Sequence, residues 1–236
     1  MSTLLDQRRA KRALLVSVGV TGILYLIPFG SLLAYPLVLL STLAHEMAHG
    51  MMAELVGGDF QKLVLYSDAS GAAQWSGNPS RLSRALVAGA GLVGPAIGGA
   101  GCFLVAKRGW LARASLVLVA LLLGAALILV VRNLFGWIFI AVVAGGALAI
   151  GLKASRQTAQ VGLVFVGTQL ALSVFSRSDY LFTDTAQTAV GAHPSDVAQI
   201  ADALAGPYWL WGALAGLLSL AVLWGGLRSF LRGAAD

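Results

Sequence analysis

Residues 36–56 read Pro36-Leu-Val-Leu-Leu-Ser-Thr-Leu-Ala-His45-Glu46-Met-Ala-His49-Gly-Met-Met-Ala-Glu-Leu-Val56. The segment is apolar over a length that can cross a bilayer, which takes about 20 residues. It nevertheless carries two imidazoles and a carboxylate side by side. Ionisable groups inside such a helix are expensive to keep there and are functional by default. On a helix, His45 and His49 differ by about 40° in azimuth, so both rings point the same way and can hold one metal ion.

The rest of the chain supports the membrane setting. Of 236 residues, 58% are hydrophobic and 11% are charged, whereas a soluble domain carries about 25% charged residues. Apolar runs recur at about 13–34, 36–56, 84–106, 112–131, 134–152, 159–176 and 207–228, which predicts six or seven membrane helices. Backbone amides in lipid must bond within their own segment, so the runs are helical, and barrel strands would be shorter and alternating. The first run follows a basic start and is read as an uncleaved span, because another span follows at once. The expected fold class is therefore an all-α polytopic membrane protein, with residues 1–236 forming one domain.

The net charge of +6 does not indicate a nucleic-acid partner. Arg8, Arg9, Lys11 and Arg12, then Lys107, Arg108 and Arg113, then Arg228 and Arg232 sit at the ends of apolar runs. There they meet lipid headgroups. The single cysteine, Cys102, lies inside an apolar run and has no disulfide partner in the chain.

Two stretches interrupt the apolar pattern. The first, 57–80, begins at Gly57-Gly58, a natural helix exit. It then runs Phe60 to Ser67 and Ala72 to Trp75 around Asp68-Ala-Ser-Gly71, which predicts a small β-hairpin over 60–75 with a type I turn at Asp68–Gly71. A free hairpin edge beside the motif helix can receive an extended peptide by strand addition. The second stretch, 177–206, is a polar loop before the last helix and holds four of the ten acidic residues. The glycines Gly89, Gly91, Gly94 and Gly98 are read as helix-packing positions.

His45-Glu-x-x-His49 suits zinc, with Glu46 placed as general base toward water. Zinc in a hydrolase takes a third protein ligand and keeps one position open. Glu54 lies on the opposite side of the helix, and Asp59 and Asp68 are better read as helix-exit and turn residues. The remaining candidates are Asp179, Asp184, His193 and Asp196. Asp196 is preferred, with Asp179 its competitor. The plainer reading of Asp196 is a helix-start residue behind the cap Ser195, and that of Asp179 is an interfacial partner of Arg177.

The ordered set of His45-Glu-x-x-His49, Gly57-Gly58, Tyr66-Ser-Asp-Ala-Ser-Gly71, Gly89-Ala-Gly-x-x-Gly94-Pro95, Arg132-Asn133-x-x-Gly136 and Ser195-Asp196 resembles the site-2 protease-like intramembrane zinc metallopeptidases, in their compact bacterial branch. The resemblance covers about 36–228. It implies a polytopic fold in which two histidines and an aspartate hold Zn2+, with Glu46 as the base. The implied substrates are membrane-spanning or membrane-proximal proteins, and the implied location is a bacterial cytoplasmic membrane. The chain lacks the Asn-Pro…Leu-Asp-Gly signature of better-known members, although Asn133 echoes its asparagine. Asn133 and the 60–75 hairpin are the candidate substrate-binding elements. The rival expectation is a non-proteolytic transporter or scaffold with a structural metal site, in which a residue such as His193 would close the fourth metal position.

Overall fold

The computed structural model describes residues 7–26, 28–176, 181–189 and 191–233. In chain order they form α1 (Gln7–Leu26), α2 (Gly30–Leu55), β1 (Asp59–Leu65), β2 (Gly71–Ser76), α3 (Arg81–Ala106), α4 (Gly109–Leu129), α5 (Leu134–Lys153), α6 (Arg156–Ser176), β3 (Thr185–Thr188), β4 (Gly191–Pro194), α7 (Asp196–Leu204) and α8 (Tyr208–Gly233). Four of these helices, α3, α4, α5 and α8, are long and apolar enough to cross a membrane by length and composition. The mostly helical architecture with a small hairpin after the motif helix is thus as expected.

The first two helices divide earlier than the apolar pattern suggested. α1 ends at Leu26 and α2 begins at Gly30, so the break falls beside Pro28 and not at Pro36. A proline disfavours helical backbone in the residue before it and cannot continue a helix bond. Pro36 lies inside α2. At its other end α2 closes on Gly57, whose φ of 82° suits glycine. The Gly57 N–H donates to the Glu54 carbonyl at 3.1 Å and the Gly58 N–H to that of Ala53 at 2.8 Å, the paired bonds of a Schellman termination.

α3 is the central helix and packs on α2, α6, α7 and α8. One buried cluster joins Phe103, Leu116, Val164 and Phe230 from α3, α4, α6 and α8. A second joins Leu43 of α2 to Leu63 and Leu65 of β1, with Leu123 and Ile140 of α4 and α5. The inner half of the hairpin is therefore immersed in the helix bundle, Leu63 and Leu65 being completely buried.

A two-stranded hairpin in apolar surroundings needs partners for its edges. The outer edge of β1 finds them in the break between α4 and α5. The Leu63 N–H donates to the Val130 carbonyl at 2.8 Å, and the Leu63 carbonyl accepts from the Arg132 N–H at 3.1 Å. One step on, the Asn133 side chain takes the place of a strand: its Nδ2 donates to the Leu65 carbonyl at 2.6 Å and its Oδ1 accepts from the Leu65 N–H at 3.3 Å. Gly136 leaves room for this amide, since a Cβ there would stand 2.6 Å from Asn133 Oδ1. Arg132 caps α4 by donating to the Val131 and Leu129 carbonyls. Among the described residues, β2 is consequently the hairpin's free edge.

The turn sits two residues earlier than Asp68–Gly71. The Ala69 N–H donates to the Tyr66 carbonyl at 3.1 Å, and the Tyr66 N–H to that of Ser70 at 2.9 Å. Ala69 adopts φ 67°, the left-handed residue of a three-residue hairpin loop. Asp68 still shapes the turn, because its Oδ1 accepts from the Ser70 hydroxyl at 2.6 Å and the Ser70 N–H at 2.9 Å. Those bonds, the hydroxyl's first, hold the Asp68 carboxyl below its ordinary pKa.

Within the stretch 177–206, read from the sequence as a polar loop, the described residues form regular structure. They include the antiparallel pair β3–β4 and the short helix α7. If Asn133 is what holds the inner hairpin in place, Asn133→Ala leaves the Leu65 amide and carbonyl without partners. The variant should lose about 1–3 kcal/mol of stability, read as a lowered unfolding temperature in detergent, with zinc supplied at saturation to both proteins.

Candidate metal centre and substrate cleft

The motif lies in the last turns of α2, where Glu46 is buried and the two histidines are mostly covered. Their Nε2 atoms are 3.1 Å apart. The third group comes from α7. Asp196 Oδ2 lies 3.1 Å from His45 Nε2 and 3.3 Å from His49 Nε2. Zinc–nitrogen bonds of about 2.0–2.1 Å in tetrahedral geometry place neighbouring ligand atoms about 3.3 Å apart, so this donor set fits such an ion in both chemistry and spacing. Among the described residues it is the one group of His, Cys, Asp and Glu side chains that could hold a metal.

The position of Asp196 follows from the packing of α7. Ser195 caps the helix through the Ala198 N–H at 3.2 Å. Its hydroxyl also donates to the Thr183 carbonyl at 2.6 Å, and its N–H donates to the Asp184 carbonyl at 2.9 Å. Val197, Ile200 and Ala203 form the buried face of α7 against Ala85, Ala88 and Leu92 of α3 and Ala215 of α8. With that face fixed, the first helical residue is turned to the histidines. Asp196 is therefore a helix-start residue whose carboxylate also meets the two imidazoles: Ser195 caps, and the helix dipole favours a carboxylate at this position. Burial alone would raise the pKa of Asp196, but the His49 and His45 rings beside it hold it well below the ordinary carboxylate value.

Of the other candidates, Asp184 enters through its backbone carbonyl to Ser195, and its carboxylate accepts from the Thr185 hydroxyl at 3.2 Å. His193 lines the same cleft but is not one of the three converging side chains. Asp179 lies outside the described residues. Glu54 accepts from the Phe60 N–H at 2.7 Å and so ties the helix exit to the hairpin.

Several supporting residues carry no signal in the motif itself. His49 Nδ1 lies 2.7 Å from the Val87 carbonyl. A carbonyl can only accept, so Nδ1 carries a proton and Nε2 is the ring atom turned to the site. Gly91, one turn further along α3, abuts the same ring, and a Cβ there would overlap the His49 imidazole. Gly94 stands against Ala48 within the motif. Gly91 and Gly94 of the glycine run thus pack against the motif helix α2, whereas Gly98 faces Leu170 of α6 and Gly89 faces Ile200 of α7. On the other side, Thr42 donates to the Ala69 carbonyl at 2.8 Å and draws the hairpin turn onto α2. A Cβ on Gly71 would lie 2.7 Å from Glu46 Cγ and 2.8 Å from Thr42 Cγ2, so β2 starts directly over Glu46.

These elements enclose a cavity of about 470 Å³ lined by His45, Glu46, His49 and Asp196. The buried Ser41, Pro95 and Ser219 also line it, and the exposed Arg84 and Asp202, with the half-buried Trp75, mark its outer end. β2 lines it from Gly71 to Trp75, as do Ala186 and Thr188 of β3 and His193 and Pro194 of β4. The backbone of β2 is oriented by its register. Leu63 and Leu65 turn their amides and carbonyls away from β2, toward Val130, Arg132 and Asn133. They pair with Ala73 and Gly71, so in an antiparallel ladder Gly71 and Ala73 likewise turn theirs away from β1, toward the free edge. The Ser70 hydroxyl also accepts from the Ala189 N–H at 3.2 Å, linking the two hairpins at the Gly71 end of the cleft.

No curated protein and no solved structure matches the chain. The profile of the Peptidase M50B-like family matches residues 15–226, a span that contains the motif helix, the hairpin and Asp196. The chain is a membrane protein that belongs to the Peptidase M50B-like family, the site-2 protease family of metallopeptidases.

Proposed function

We propose that the protein is a zinc-dependent intramembrane endopeptidase that cleaves membrane-spanning or membrane-proximal protein substrates. The observation that carries this reading is the meeting of His45, His49 and Asp196 in a cavity that Glu46 also lines. His45, His49 and Asp196 are the ligands, and zinc bound by them would polarise the scissile carbonyl and lower the pKa of a water. Glu46 is the general base: its carboxylate takes a proton from the attacking water and returns it to the departing amide nitrogen. Among the described residues only these three side chains converge and His193 stands apart from them, which supports catalysis over a structural metal closed by a fourth protein ligand.

A transmembrane helix hides its carbonyls, so the substrate must be extended before it can be cut. The free edge of β2 offers backbone donors and acceptors from Gly71 and Ala73 next to Glu46, and strand addition there would hold a peptide extended across the site. Asn133, bonded to the far edge of the hairpin, serves this reading by positioning β1 and not by touching substrate. All 236 residues act as one membrane domain, and a bacterial cytoplasmic membrane is the location that fits the family resemblance.

The reading predicts about one zinc per chain in detergent-purified protein. His45→Ala and Asp196→Ala should lose it, and Asp179→Ala should keep it. Zinc retained by Asp196→Ala and lost from Asp179→Ala would transfer the third ligand to Asp179. Glu46→Gln should keep its zinc while cleavage of a membrane-spanning test peptide falls by about 10²–10⁴-fold, and cutting at the wild-type rate would remove Glu46 as base. Gly91→Ala, which intrudes on the His49 ring, should weaken zinc binding by about tenfold or more in competition with a chelator.

A further inference from the structure

We propose that Arg84 is a specificity-determining residue that binds a carboxylate side chain of the substrate, about three residues from the scissile bond. The proposal rests on the peptidase reading above. Arg84 is exposed and lines the outer end of the cleft. It lies in the first turn of α3, a turn with no acidic residue. The positive end of the helix dipole disfavours a cation there. Among the described residues no carboxylate lies within ion-pairing distance of its guanidinium. The fold thus places a fork of hydrogen-bond donors in the cleft, with no carboxylate partner among the described residues.

Its distance from the chemistry follows from the helix. Arg84, Val87, Ala88 and Gly91 share one face of α3 by their spacing, and Gly91 abuts His49. Seven residues of helix span about 10 Å, which an extended peptide covers in about three residues. The opposite wall agrees. β2 starts over Glu46 at Gly71 and reaches the outer cleft at Trp75, about 13 Å along a strand. A peptide added to β2 with its scissile bond at the metal site would pass Arg84 at that separation.

α7 supplies the opposing charge. It runs antiparallel to α3, since Ile200 approaches Gly89 while Asp196 meets His49, the residue Gly91 touches. Asp196, Gln199 and Asp202 line the cavity from this helix, so Asp202 is also at the outer end. A substrate carboxylate would be drawn to the α3 wall and repelled from the α7 wall. The subsite therefore reads the side of the peptide as well as its charge.

The test is a peptide library cut by the zinc-loaded protein in neutral detergent, with products read by mass spectrometry. The expected profile has Asp and Glu enriched about tenfold at one fixed position about two to four residues from the cut. Arg84→Gln should erase the enrichment, and Arg84→Glu should replace it by enrichment of Lys and Arg. Metal content reports that both variants are folded. A flat wild-type profile at that distance, or acidic enrichment that survives in Arg84→Glu, overturns the proposal. An effect of Arg84→Gln confined to vesicles containing phosphatidylglycerol would assign the side chain to lipid headgroups and overturn it too. Absence of any cleavage by zinc-loaded wild type would count against the peptidase reading. The subsite is then decided by fluorescence anisotropy of two labelled peptides differing by one Glu or Lys: a preference that reverses in Arg84→Glu sustains it, and equal binding removes it.

Discussion

The Asp196 carboxylate and the two imidazoles of α2 hold each other in a region where none of them could stand alone. A buried carboxylate without partners would be strongly destabilising, and two neutral imidazoles facing one another would leave lone pairs unused. Their meeting requires α7 to be held against α3 and α8, which Val197, Ile200 and Ala203 accomplish, and requires α3 to come close enough to α2 for Val87 to reach His49. The glycines of α3 permit that approach. The centre thus depends on the packing of α2, α3 and α7, although only α2 and α7 supply its three side chains.

A second constraint shapes what lies over the site. Unpaired backbone groups are costly in an apolar medium, so a hairpin folded into a helix bundle must have its edges satisfied. The break between α4 and α5 satisfies the β1 edge, partly through main chain and partly through the Asn133 amide. The β2 edge faces the cavity instead, where water or an incoming peptide can meet its donors and acceptors. The same asymmetry that keeps the hairpin stable makes one edge available beside Glu46.

Much of this was readable from residues alone. The apolar runs specify helices because lipid leaves the backbone no other solution, and the helical period places His45 and His49 on one face whatever surrounds them. The Gly57-Gly58 exit and the hairpin over 60–75 follow from local backbone preferences, although the turn slips to Tyr66–Ala69 because Ala69 takes the left-handed position. The boundary between α1 and α2 was misplaced because hydropathy continues across Pro28, and only the backbone restriction of proline breaks the run there.

The sequence by itself determined two histidines on one helix face, a glutamate next to them and a membrane protein to house them, because each depends on composition or on spacing within one helix. It could only rank Asp196 among the remaining acids, and it assigned Gly91 and Asn133 no defined contact. Those assignments were decided by the tertiary structure. Whether Asp196 meets the histidines depends on which face of α7 is buried against α3, and whether Asn133 contacts a substrate or a strand depends on where the α4–α5 break docks. Such relations join segments far apart in the chain, and no local periodicity encodes them.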